Sequence, residues 1–84
     1  MSGAIDLVVE ATSGLLYWIT SGRQVRSVDL GLQNSEEVHQ FVYEVPAGVA
    51  VFEDFLYITL SSNNSIARIN RLGREGKIRN ITLP

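Results

Sequence analysis

Apolar residues in this chain fall in short runs, and polar or glycine-containing turns separate them. The densest run is Leu15-Leu16-Tyr17-Trp18-Ile19-Thr20, which carries two aromatics and predicts a buried strand. Thr12-Ser13-Gly14 precedes it and Ser21-Gly22 follows it, both as turn signals. Ahead of it, Leu7-Val8-Val9 predicts a short apolar strand, and Glu10 to Gly14 turns the chain. Gln24 to Leu30 mixes polar and apolar positions as a half-exposed strand does. Val38 to Tyr43 predicts a fourth strand, and Pro46-Ala47-Gly48 breaks the pattern. Asn34-Ser35-Glu36-Glu37-Val38 invites a helical reading but is expected to be a loop.

The second half repeats this order. Val49-Ala50-Val51 is short and apolar, and Phe52-Glu53-Asp54 turns the chain. Phe55 to Leu60 matches the densest run, and a polar stretch from Ser61 to Ser65 follows it. Ser65 to Asn70 predicts the third strand of this half, and Lys77 to Leu83 the fourth. The pairs Val9–Val51, Tyr17–Tyr57, Val25–Ile66, Val28–Ile69 and Val38–Ile78 are separated by 40 to 42 residues. Four strands in roughly 40–45 residues is the spacing of a propeller blade. The expected fold is therefore all-β, with two four-stranded antiparallel blades over residues 4–46 and 47–84.

The repeated core resembles the YWTD repeat, the class B repeat of the low-density lipoprotein receptor family. Leu7-Val8-Val9-Glu10 through Gly14-Leu15-Leu16-Tyr17-Trp18 carries the likeness in the first blade. Gly48-Val49-Ala50-Val51 through Phe55-Leu56-Tyr57, with Ser65-Ile66-Ala67-Arg68-Ile69-Asn70, carries it in the second. The chain departs from the family pattern at Thr20 and Leu60, where the motif ends in Asp, and at Ile58, where it has Trp. In the family these polar groups tie neighbouring blades, so the departures imply fewer such ties. The resemblance implies a six-bladed propeller and a non-enzymatic extracellular scaffold for protein-ligand binding or release. Its setting would be a receptor ectodomain, at the cell surface or in endosomes. Two alternatives stand beside it: a self-assembling two-blade unit forming a six-bladed homotrimer, and a fragment of a metal-dependent propeller hydrolase.

Composition narrows the partners. The 84 residues suffice for one small domain, which buries only a modest share of its surface. A net charge of -2 gives no electrostatic reason to expect nucleic acid or an anionic membrane. No apolar run approaches the ~20 residues of a membrane-spanning helix, so no direct membrane contact is expected. The chain has no cysteine, which removes disulfides and thiolate chemistry. Two sequons, Asn63-Asn64-Ser65 and Asn80-Ile81-Thr82, make Asn63 and Asn80 glycosylation candidates in a secreted chain.

Catalytic chemistry finds little support. His39 is the only histidine and reads as a strand residue, with no second His or Cys for a metal. Glu36-Glu37 and Glu53-Asp54 read as solvated turn carboxylates, although such pairs can hold calcium or share a proton. No cofactor is expected. Arg68, Arg71 and Arg74 lead a basic group that includes Lys77 and Arg79, and form a candidate surface for an acidic protein ligand. Arg23 and Arg26 add to it from the first blade. Tyr17, Trp18, Phe55 and Tyr57 are expected in the blade cores. Two blades alone would leave their outer faces uncovered, with Leu15, Tyr17, Phe55 and Tyr57 the residues expected there. The expected partners are thus neighbouring blades, further copies of the chain or a protein ligand.

Overall fold

A computed structural model describes residues 3–31, 34–62, 64–71 and 78–82, without the side chains of 78, 79 and 82. Eight strands form two four-stranded antiparallel sheets, each in simple sequence order. The first sheet holds β1 (Ala4–Glu10), β2 (Leu15–Thr20), β3 (Gln24–Asp29) and β4 (Ser35–Gln40). The second holds β5 (Pro46–Phe52), β6 (Phe55–Leu60), β7 (Ser65–Asn70) and β8 (Ile78–Thr82). The described residues contain no helix.

The repeat extends to the register. Leu15 pairs with Glu10 and Asp29, and Phe55 pairs with Phe52 and Asn70. A bulge sits at the start of β1, between Ala4 and Asp6, and another at the start of β5, between Pro46 and Gly48. Leu30 N–H donates to Gly14 O just beyond β3, as Arg71 N–H donates to Asp54 O just beyond β7. Leu30 and Arg71 are therefore equivalent positions, as are Glu10 and Phe52.

Alternation along β2 decides how the sheets meet. Successive strand side chains point to opposite faces. Tyr17 and Ile19 point to the second sheet and are buried with Val25 and Phe41. Leu56, Ile58 and Leu60 of β6, with Ala67 and Ile69 of β7, close the same core from the other side. Val8, Leu15, Val38, Val49 and Val51 pack around it. The backbones of the sheets approach each other where β5 lies against β1 and β2. Towards β4 and β8 they separate, so the pair is wedge-shaped, as blades around an axis are.

Several expectations change here. The segment expected as a loop, from Asn34 to Val38, contributes most of β4, and β4 ends at Gln40 instead of reaching Tyr43. Ser35, Glu36 and Glu37 pair with Val28, Ser27 and Arg26. An outermost strand needs few apolar side chains, so polar residues are tolerated there. Glu36 and Glu37 are thus strand residues, not turn residues. Phe41, beyond the strand, turns inward and plugs the core. Pro46 and Gly48 extend β5 through its bulge instead of ending the pattern, as proline at a strand start allows. Leu15 and Tyr17 belong to the core between the sheets and not to an uncovered face; Tyr17 is only 1% exposed. Trp18 and Leu16 take the first sheet's outer face instead, while Phe55 and Tyr57 do lie on the outer face of the second.

Candidate functional site

Among the described residues, two polar ties cross between the sheets and a third joins β8 to the β4–β5 connection. The first lies at the converging strands, where Val49 N–H donates to Asp6 Oδ2 at 3.0 Å. Gly48 beside it accommodates the Thr59 hydroxyl: a Cβ there would stand 3.0 Å from Thr59 Oγ1, but an ordinary 3.6 Å from Asp6 Oδ2.

The second tie sits at the far end of β1. Glu10 lies 3.8 Å from Arg71 across the two sheets. Glu10 also accepts from the Ser13 hydroxyl, from Ser13 N–H at 2.8 Å and from Thr12 N–H at 3.1 Å. These donors stabilise the carboxylate, led by the Ser13 hydroxyl, and lower its pKa from 4.5 to about 2. Arg71 Nε donates to Glu53 O at 2.9 Å. The Tyr17 phenol first, then Glu10 and Asp54, hold the Arg71 guanidinium above its ordinary pKa against the effect of burial. In the third tie, Asn80 Nδ2 donates to Glu44 Oε2 at 3.1 Å.

Thr20, which stands where the resemblance expects Asp, acts within its own sheet. Its hydroxyl accepts from Gly22 N–H and Gln24 N–H, both at 3.2 Å, and closes the β2–β3 turn.

The outer face of the first sheet carries a concave groove of about 880 Å³. Leu16, Trp18, Gln24, Arg26, Val28 and Leu30 are among its lining residues. Trp18 is 5% exposed, and its indole N–H has no hydrogen-bond partner. The outer face of the second sheet presents Phe55, Tyr57 and Arg68, with the Arg68 guanidinium 4.5 Å from the centre of the Phe55 ring. Such stacking covers part of an aromatic face without burying the charge.

The sequence-predicted residues do not converge on one site. Arg68 lies on the second sheet's outer face, whereas Arg71 crosses to the first sheet. Arg74 and Asn63 fall outside the described residues, as does Lys77. Asn80 is exposed on β8. His39 lies on β4 with its ring edge-on to Phe41, the centroids 4.6 Å apart. Among the described residues, no three of His, Asp and Glu gather as a cation site. The inter-sheet role of Asp6 and Glu10 escaped the sequence reading. The only available signal was that Asp6 and Glu10 flank an apolar strand, and isolated carboxylates at strand ends ordinarily face water.

No protein-family model matches the chain. Among solved structures, the chain is similar to the selenomethionine-substituted virginiamycin B lyase from Staphylococcus aureus. The match has a TM-score of 0.77 at 18% identity. It spans 99% of this chain but 28% of the lyase. That structure carries an enzyme's name, which overturns the expectation that a chain of this kind is non-enzymatic. The likeness shows the fold: an all-β, propeller-like pair of antiparallel sheets.

Proposed function

We propose that the chain forms two adjoining blades, the sheets of β1–β4 and of β5–β8 with Pro46 opening the second, in the wall of a β-propeller, and that function lies in the channel a complete ring encloses. One observation carries this reading: two sheets of equal register stack face to back. The Tyr17–Ile19 face of one meets the Leu56–Ile58–Leu60 face of the other. Asp6 and Glu10 then serve as inter-blade ties, and the channel chemistry would draw on other blades as well. The reading requires both sheets to open as one unit. Hydrogen exchange tests it: the Ile19 and Ile58 amides should show equal protection, and Tyr17→Asp should lower both. Unchanged protection of Ile58 in that variant would overturn it.

The likeness to a lyase favours a second reading, in which the complete ring is catalytic. Its assay is consumption of virginiamycin B by the assembled protein, followed by chromatography. An intact substrate after prolonged incubation would remove it.

The receptor-type reading, with a protein ligand bound at the cell surface, rests on the Leu15–Trp18 and Gly48–Tyr57 segments alone. In that setting Arg68 and Arg74 would serve the ligand without Arg71, which is held at Glu10 between the sheets, and Asn63 and Asn80 would carry glycans. Asn80 has an exposed side chain to receive one. A secreted chain whose mass glycosidase leaves unchanged would rule out the glycans.

A further inference from the structure

The two outer faces are the two halves of the interface already formed inside the pair. Repeat equivalence shows which residues would meet if one blade pair followed another in the same orientation. Within the pair, Glu10 of the first blade meets Arg71 of the second at 3.8 Å. The position equivalent to Glu10 in the second blade is Phe52, set by Glu10–Leu15 and Phe52–Phe55 pairing. The position equivalent to Arg71 in the first blade is Leu30, set by the matched bonds to Asp54 O and Gly14 O. The ion pair of the inner interface is thus replaced at both outer faces together, and by two apolar residues. Phe52 is 64% exposed and Leu30 51% exposed. A charge left on one face opposite an apolar residue on the other would be penalised on docking; at this position neither is left, while Arg26 and Arg68, at the places of inner Ala67 and Ser27, keep charge elsewhere on the two faces.

A second exchange follows the same logic. Ile19 and Ile58 are both buried in the inner core. Their counterparts on the outer faces are Thr59 and Trp18, set by Ile19–Val25 and Thr59–Ile66 pairing and by Trp18–Leu7 and Ile58–Val49 pairing. The Trp18 indole N–H is buried in the groove without a partner. The Thr59 side chain is exposed on the opposite outer face and can accept a hydrogen bond.

We propose that the chain associates head to tail with a second copy of itself, the second-blade face of one copy covering the first-blade groove of the next, with Phe52 against Leu30. The inference rests on the blade reading. Contacts of this kind are heterologous and close into a ring where the rotation fits. Two to four copies would give the roughly four to eight blades at which propellers close.

The test is sedimentation of the 84-residue chain from micromolar to millimolar concentration, with two exposed-site variants. The wild type should sediment at multiples of 9.3 kDa. Phe52→Glu and Leu30→Arg should each lose this association while keeping the β-sheet circular dichroism. Mixed in equal amounts, the two variants should re-associate in one-to-one proportion, because their substituted faces meet as the inner ion pair does and their unsubstituted faces, Phe52 and Leu30, meet as in the wild type. The proposal is overturned by a wild type that stays monomeric throughout, by variants that associate as the wild type does, or by a mixture that remains monomeric. Cooperative exchange of Ile19 and Ile58 in a monomeric wild type would sink this proposal and leave the blade reading standing.

Discussion

At the scale of single residues, Glu10 shows how a turn residue becomes part of an interface. A glutamate before Ala-Thr-Ser-Gly reads as solvated, and nothing local marks it otherwise. The fold supplies the missing information. The β1–β2 turn brings Ser13 back onto the carboxylate, and the second sheet brings Arg71 to it. The carboxyl pKa is lower in the folded chain than in the unfolded one. Its stabilisation is therefore fully present above 4.5 and is lost as pH falls from 4.5 towards 2. Thermal melts across that window should show a falling midpoint in the wild type. Glu10→Gln should melt lower at neutral pH and lose less of its remaining stability on acidification. A variant whose acid profile overlays that of the wild type would show that Glu10 is not coupled to folding.

At the scale of strands, legibility followed burial. β2 and β6 carry the apolar runs that the core needs, and both were found with their ends in place. β7 was likewise plain from Ile66, Ala67 and Ile69. β4 was misplaced because its pairing with β3 uses Ser35, Glu36 and Glu37, and an edge strand carries no apolar signature. Phe41 to Tyr43 looked like strand because the residues are apolar, yet Phe41 alone serves the core. β1 and β5 were read short because their bulged starts interrupt the alternation. The face assignment was also out of reach for Leu15 and Tyr17. Their run is apolar on both sides, so it shows that both faces are covered but not by what. These placements predict unequal costs. Leu56→Ala, at the centre of the inter-sheet core, should cost about 2–5 kcal/mol. Ile5→Ala, on the exposed side of β1, should cost under about 1 kcal/mol. Denaturant midpoints at a single low protein concentration measure both, and comparable losses would contradict the assigned core.

At the scale of the whole molecule, the inner and outer interfaces differ in how they should answer to salt. The inner one has an ion pair at its rim, Glu10 with Arg71. The outer faces put Phe52 and Leu30 in the corresponding places, and most of what they offer is apolar: Leu16, Val28, Phe55 and Tyr57. Association through such faces depends on removing apolar surface from water, a term that sulfate strengthens. An ion pair at a wetted rim is instead weakened as salt screens it. Raising sodium chloride should therefore leave the wild-type assembly intact, and sodium sulfate should tighten it. The one-to-one assembly of Phe52→Glu with Leu30→Arg should instead part at every second interface as ionic strength rises, leaving pairs joined through the unsubstituted faces, because only the substituted rim has been rebuilt as a charge pair. Sedimentation of both assemblies over one salt series decides the matter. Wild-type association that dissolves in sodium chloride would mean that charge holds the copies together, by way of Arg68 or Arg26 and the carboxylates of β4, and that Phe52 and Leu30 do not meet.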